Sequence, residues 1–410
     1  MEKNARDLIQ KATVAVFGIL LILGILEVGV RLFFPHPYYA DIIYPDEKVG
    51  YKLKPDAHTR ATNRFAEYDT AIDSNQEGFR DKDYPLEKTP GVYRIAVIGD
   101  SFTMAEHVEE KETFVRRLEA LLNKDAPSGH RKVECMNFGI NGYDTYQEVL
   151  VYEAYVRKYK PDMVLLAVYV NNDFSGNVFY LRDSNVGRPY FRLVDGKLQK
   201  VETNKDVLWE NYRRSVKRHQ FNWYNCFHLY NLQRDFLHHH RNCARGNWDR
   251  RASPLRPDDP QSVETFWKSF GLGRYRCYSF PENQPYLREC ETISRLLLQK
   301  MERRIKEDGC RFCVIGLPGE ENLFPERWPG KVKAFKGLEK FSLDFDRPYR
   351  WMQTWLPDLS ASGDLLDPRP ILRKAAEKGP VYFQHDPHYT KWGQESIARI
   401  LADWLEKKLN

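Results

Sequence analysis

Three short apolar runs set the rhythm of the chain. "YRIAVIGD" (93–100), "KVECMNFGI" (132–140) and "DMVLLAVYV" (162–170) are nearly continuous in hydrophobic residues. Strands buried on both faces read this way, whereas half-exposed strands alternate. Amphipathic patterns over 113–124 and 143–159 separate the runs, so the arrangement predicts a parallel sheet covered by helices on both sides. The same rhythm returns near the C-terminus. Cys290, Ile293, Leu297, Met301 and Ile305 mark one face of a helix over 286–308. "CRFCVIGLP" (310–318) is the next strand, and helices near 371–378 and 391–408 flank "VYFQHDPHYT" (381–390).

Two stretches depart from this pattern. Residues 35–60 are rich in Pro and Tyr and read as a connector lying along the body, followed by a partly alternating strand and Gly turn within 64–81. Residues 174–285 are polar, aromatic and basic with scattered Gly and Pro, and read as an insertion. No internal repeat or low-complexity tract is present.

The N-terminus has a different period altogether. Residues 13–34, "TVAVFGILLILGILEVGVRLFF", are apolar except for Glu27 and Arg31. About 20 residues span a hydrocarbon core as a helix. Glu27 and Arg31 are spaced for a helical ion pair near one end, where snorkelling relieves the burial of charge. Lys3, Arg6 and Lys11 precede the run, and Arg31 is the only Lys or Arg between it and Lys48. The positive-inside rule then puts the N-terminus in the cytoplasm and the rest outside. No small-residue cleavage site follows, which favours a retained anchor over a signal peptide.

Composition adds less. With 42% apolar and 29% charged residues the 410-residue chain is globular rather than disordered. The net charge of +6 is mild but uneven: Tyr212–Arg251 holds nine Lys/Arg against two Asp/Glu. That segment reads first as a solvated basic face; outside the cytoplasm the partners within its reach are anionic glycans or lipid head groups, not nucleic acid.

Among the seven cysteines, Cys135 and Cys313 fall in strands as small buried hydrophobes. Cys226, Cys243, Cys277 and Cys290 lie in or beside the insertion and allow two disulfides in three possible pairings. Cys310 and Cys313 form a lone CxxC with no second half to complete a zinc site. His238, His239 and His240 read as a surface cluster in a basic loop. Neither argues for a metal.

The chemistry lies at the strand ends. The first run ends in Gly99-Asp100-Ser101, the second in Asn137 to Gly142, and the third in Asn171-Asn172-Asp173. In a parallel sheet these ends share one edge, where α/β proteins bind their ligands. Ser101 supplies a hydroxyl on a strand-to-helix turn backed by the positive end of the helix. His388 is the candidate base, and Asp386, two residues earlier, the carboxylate that orients it. The Ser101 and Gly142 backbone N–H groups and the Asn172 amide are candidate oxyanion donors. Asp100 and Asp173 read as turn stabilisers, and His385 as an exposed neighbour. The chain has no G-x-S-x-G elbow, HExxH motif or Walker A lysine.

These residues resemble the SGNH (GDSL-like) hydrolase superfamily, named for its Ser, Gly, Asn and His. Gly99-Asp100-Ser101 matches the first block, Gly142 the second, Asn172-Asp173 the third, and Asp386 with His388 the last. The likeness covers about 70–408 apart from the insertion. The apolar N-terminal run and the "SNQEGFRD" lead-in are similar to a membrane-anchored bacterial branch. Two departures stand out. Val170 replaces the usual Gly of the third block. The usual Asp-x-x-His spacing gives way to Asp386-Pro387-His388.

The resemblance implies a three-layer α/β/α, flavodoxin-like parallel sheet with an N-terminal transmembrane helix and a long insertion. The expected divisions are a cytoplasmic N-terminus (1–12), an anchor (13–34), a connector with a lead-in strand (35–92), and an SGNH hydrolase-like domain (93–410) carrying the insertion 174–285. The implied activity is that of a serine esterase or O-acyl hydrolase, without metal or cofactor. Its expected place is the outer side of the cytoplasmic membrane, and its expected substrates are acylated envelope glycans or related esters. Polysaccharide O-acetyl transfer within an envelope machinery, or glycan binding without catalysis, are the alternatives. Departing just after Asn172, the insertion is placed to roof the site and shape substrate choice.

Overall fold

The structure is a computed structural model and describes residues 2–33, 42–63, 67–124, 132–178, 187–220, 229–230, 285–327 and 344–409. After a long N-terminal helix come two antiparallel hairpins. One pairs β1 (Ile43–Asp46) with β2 (Gly50–Leu53), the other β3 (His58–Thr62) with β4 (Asp69–Asp73). The central sheet is built from β5 (Val92–Gly99), β6 (Lys132–Gly139) and β7 (Met163–Tyr169). Another hairpin, β8 (Tyr190–Val194) with β9 (Lys197–Val201), interrupts the sequence before β10 (Arg311–Leu317) and β11 (Leu365–Leu366) complete that sheet.

All five central strands are parallel, in the order β6-β5-β7-β10-β11. Numbered by appearance within the sheet this is 2-1-3-4-5, the flavodoxin-like order, with its switch point between the first and third strands. The expected three-layer α/β/α class is therefore the one observed. Register sets the site: Gly99 at the end of β5 lies opposite Gly139 of β6 on one side and Ala167 of β7 on the other. The ends bearing Ser101, Gly142 and Asn172 are thus neighbours along one edge.

Successive side chains of a strand point to opposite faces, and both faces here are apolar. Ile95, Val97, Leu165 and Ile315 pack with the helices Phe114–Lys124 and Lys391–Leu409, through Val115, Leu118, Ile397 and Leu401. Ala96, Ile98, Val164 and Leu166 pack on the other side with Val149, Ile293, Leu297 and Met352. Each fully buried aliphatic side chain contributes about 1.5–3 kcal/mol. The uninterrupted apolar runs of the sequence are the signature of that double burial.

Several local expectations need correction. The helix after Ser101 is a single turn, Ser101–Met104, so its dipole supplies little; the long helix starts only at Phe114. The pattern over 143–159 is an α-helix only over Thr145–Val151, then widens into a π turn and tightens into a 3₁₀ turn ending at Tyr159. Cys290 is a buried thiol whose Sγ donates to the Phe174 carbonyl at 3.0 Å. Its position on the core face of the helix Pro285–Glu307 removes it from any disulfide. Cys226, Cys243, Cys277 and the triplet His238–His240 lie outside the described residues. Cys135, Cys310 and Cys313 are free and buried.

The N-terminal helix runs from Glu2 to Phe33 and is long and apolar enough to cross a membrane. Leu8, Phe17, Ile22 and Phe33 stand exposed along it. Arg31 Nε donates to Glu27 Oε1 at 2.6 Å, the expected intrahelical pair. Within the insertion, the helix Lys205–Gln220 packs on the first hairpin. Trp209 and Tyr212 each meet the Tyr44 ring edge-on at 5.6 Å, and Lys205 pairs with Glu47.

Candidate active site

The turn after β5 is tight because Gly99 has no side chain. A Cβ there would stand 2.2 Å from Thr103 Oγ1 and 2.9 Å from the Ala167 carbonyl. Asp100 caps the following turn, its Oδ1 accepting the Phe102 N–H at 2.9 Å. Capping thus falls to Asp100 rather than to Ser101, which is left at the first helical position with its hydroxyl half-exposed. Burial raises the Asp100 carboxyl to about 6, against the Phe102 N–H and the nearby His388 and Asn172. Asp173 holds its own turn by accepting the Tyr169 N–H at 2.7 Å.

Ser101 and His388 are 287 positions apart in sequence and meet at hydrogen-bond distance. Ser101 Oγ lies 2.8 Å from His388 Nε2, and His388 Nδ1 lies 2.6 Å from Asp386 Oδ1. Asp386 Oδ1 also accepts the His388 backbone N–H at 3.0 Å, which closes the short Asp-x-His loop on itself. The one-residue-shorter spacing therefore still delivers a carboxylate to Nδ1. Burial pushes the Asp386 carboxyl up, but the hydrogen bond and charge of His388, with His107, outweigh it and hold it below the usual range. Phe102 lies 4.8 Å from the His388 ring and stacks on Tyr169, walling the imidazole in.

The other two blocks stand alongside. Ile140 N–H bonds the Gly99 carbonyl at 3.2 Å and ties the Asn137–Gly142 segment to the turn bearing Ser101. Gly142 has φ +71°, a left-handed conformation that favours glycine. The Asn172 side chain lies against the Asp100 carboxyl, beside Ser101. His385 is exposed, and its loop is pinned by Glu67, whose Oε1 accepts the Gln384 and His385 N–H groups at 2.9 and 3.1 Å.

Sequence reasoning missed the residues around this chain of three. His107, six positions after Ser101, is buried and lies on His388. Its Nε2 is 3.7 Å from Asp386 Oδ1. Burial drives its imidazole well below the ordinary value, and His388 adds to this against the pull of Asp386. A lone histidine just past a GDS turn was the available signal. His107, Asp386 and His388 each bring a donor atom within 4.8 Å of the others. With the rings stacked nearly parallel, however, their in-plane lone pairs do not converge on one point, which is poor geometry for a tetrahedral ion.

A second missed group is acidic. Glu148 is fully buried near Asp100, Asp144 and Asp173. Neither of its carboxyl oxygens has a hydrogen bond among the described residues. Burial first, then Asp100 and Asp144, pushes its carboxyl well above the usual range.

Together, a 2-1-3-4-5 sheet with Ser at the end of its first strand and Gly, Asn and His gathered at the same edge is the arrangement that the resemblance to SGNH (GDSL-like) hydrolases implies. No protein-family model matches the chain, and no curated protein is similar enough to match it. Among solved structures, the crystal structure of TesA is 12% identical and covers 77% of this chain and 99% of its own, with a TM-score of 0.35. A GDSL-like lipase from Bacteroides thetaiotaomicron is 11% identical over 79% of this chain and 93% of its own, with a TM-score of 0.34. The lipase/acylhydrolase from Enterococcus faecalis is 14% identical over 77% and 96%, also at 0.34.

Proposed function

We propose that this protein is a membrane-anchored serine esterase, an O-acyl hydrolase working outside the cytoplasm on acylated envelope glycans or related esters. The observation that carries the reading is the unbroken chain Ser101 Oγ, His388 Nε2, His388 Nδ1, Asp386 Oδ1, with links of 2.8 and 2.6 Å. His388 takes the Ser101 proton at Nε2 as Oγ attacks the ester carbonyl. Asp386 holds the proton on Nδ1 and balances the imidazolium. The tetrahedral oxyanion is met by the Ser101 and Gly142 N–H groups and the Asn172 amide. On collapse the ester C–O bond breaks, and the alcohol leaves with the proton held at Nε2. Water, deprotonated by His388, then cleaves the acyl-serine to release the acid.

The apolar helix and the basic residues Lys3, Arg6 and Lys11 before it support a cytoplasmic N-terminus and an outward-facing domain. The test is Ser101→Ala in the full chain against a small acetyl ester, with fluorophosphonate labelling of the parent. Turnover is expected to vanish and the label to map to Ser101. A folded Ser101→Ala protein with undiminished turnover would sink the mechanism.

A further inference from the structure

The hairpin between the N-terminal helix and the sheet carries a side chain that reaches into the catalytic edge. Tyr51, on β2, directs its hydroxyl at two consecutive carbonyls, Asn141 at 3.0 Å and Gly142 at 2.9 Å. These belong to the loop whose Gly142 N–H is read above as an oxyanion donor. In a trans peptide the C=O and the following N–H point in opposite directions, and the chain contains no cis bond among the described residues. A carbonyl of Asn141 drawn toward Tyr51 therefore turns the N–H of Gly142 the other way. No backbone partner inside the protein claims that N–H among the described residues, whereas the next one, Tyr143 N–H, is used by Ile140 O at 3.3 Å.

The surroundings fix the phenol rather than let it swing. Tyr143 packs edge-on against the Tyr51 ring at 5.3 Å, and its own hydroxyl donates back to the Tyr51 carbonyl. Gln147 Nε2 donates to the Val49 carbonyl at 3.1 Å, clamping the hairpin to the start of the next helix. A Cβ on Gly142 would stand 3.2 Å from the Tyr51 oxygen, so the hydroxyl is seated closely against the loop. Burial keeps the phenol protonated, so it remains a donor over the whole working pH range.

We infer that Tyr51 is a positioning residue for the oxyanion site: by holding the Asn141 and Gly142 carbonyls it aims the Gly142 N–H at the charge that forms on the substrate. The inference rests on the serine-esterase reading. Losing a whole oxyanion donor costs roughly 10²–10³ in kcat, and a misaimed one a fraction of that. Tyr51→Phe in the full chain is therefore expected to lower kcat about ten-fold with KM for a small ester unchanged. Affinity for a boronic acid, which becomes tetrahedral on Ser101, should fall by a similar factor. Active sites are counted by fluorophosphonate titration, so misfolded protein does not enter kcat. Tyr152→Phe removes a hydroxyl that donates to Asp308, away from the two carbonyls and from the hairpin, and is expected to leave kcat within about two-fold. Equal losses in both variants, or no loss in Tyr51→Phe while the parent turns over, would overturn the Tyr51 assignment and leave Ser101 standing. Absence of Ser101 labelling in the folded parent would overturn both.

Discussion

The imidazole of His107 lies face to face on that of His388, ring centroids 3.8 Å apart and planes 17° from parallel. In the proposed mechanism His388 becomes positive for a moment. A neutral aromatic face is a favourable neighbour for a cation, whereas a second positive charge is not. His107 is held neutral chiefly by burial, with His388 and Arg80 opposing its protonation and Asp386 favouring it. Glu106 and the Tyr68 ring, edge-on at 4.9 Å, complete its surroundings.

His107→Phe keeps the stacked face and is expected to retain turnover within about five-fold, whereas His107→Lys should lose it by at least a hundred-fold. Like charges about 4 Å apart cost on the order of 4 kcal/mol at the effective dielectric of a protein edge. The parent takes a second proton at this pair only well below the ordinary imidazole range of about 6.5. There its activity should fall with a steeper acid limb than that of His107→Phe. Equal kcat and identical limbs in all three proteins would leave His107 as packing alone.

Asp386→Asn should leave the fold intact and the Nδ1 proton unsupported. A loss of about 10⁴ in kcat is expected, the scale seen when a triad carboxylate is replaced by its amide. Because the Asp386 carboxyl is held below its usual range, the acid limb of the parent does not report its titration. Steady-state kinetics near neutral pH checks the first point.

Gly99→Ala places a methyl against Thr103 Oγ1 and the Ala167 carbonyl. Thr103 can give way, but the Ala167 carbonyl is part of β7 and cannot without disturbing the sheet. The turn bearing Ser101 must therefore shift. Turnover should drop at least a hundred-fold, since displacements near 1 Å cost about that much. Adding Thr103→Ala should restore only a small part of it, as measured by kcat per active site.

The buried acids make a claim about stability. Glu148 titrates near 4.3 when unfolded and well above that when folded. Between those values the folded state binds more protons than the unfolded one, so stability falls as pH rises. Glu148→Gln cannot ionise and so removes this pH-dependent loss. Its melting midpoint should exceed the parent's by a few degrees at pH 8 and by less at pH 5. A midpoint below the parent's at both pH values would contradict this account.

How much of this was legible beforehand depends on how each element is stabilised. Strands buried on both faces show as unbroken apolar runs, so β5, β6, β7 and β10 could be read directly, and with them the residues at their ends. The two-residue strand β11 has no period to detect. The hairpins carrying Tyr51 and the Glu67 region have strands of four or five residues with mixed burial, and they left only a partial alternation. Tyr51 meets Gly142 across 91 positions, and Glu67 meets Gln384 across 317. No local pattern encodes such pairings. His107 sat in the most informative stretch of the chain, but one histidine gives no hint of the ring it will rest on. A catalytic unit cut at residue 93, where the α/β rhythm begins, would discard Tyr51, Glu67 and Tyr68 together.

The chain between the N-terminal helix and the first hairpin is short: eight residues, 34–41, lie between Phe33 and Ile42. Fully extended, that stretch reaches at most about 30 Å. On the proposed anchoring, with the helix seated in a bilayer, the hairpin, and through Tyr51 the proposed catalytic edge, would be leashed to within a few nanometres of the surface. Encounters would then occur in a thin layer rather than a volume. Acyl groups carried on the membrane or drawn past it would face a high effective concentration of Ser101, while the same ester on a polymer anchored farther out would be beyond its reach.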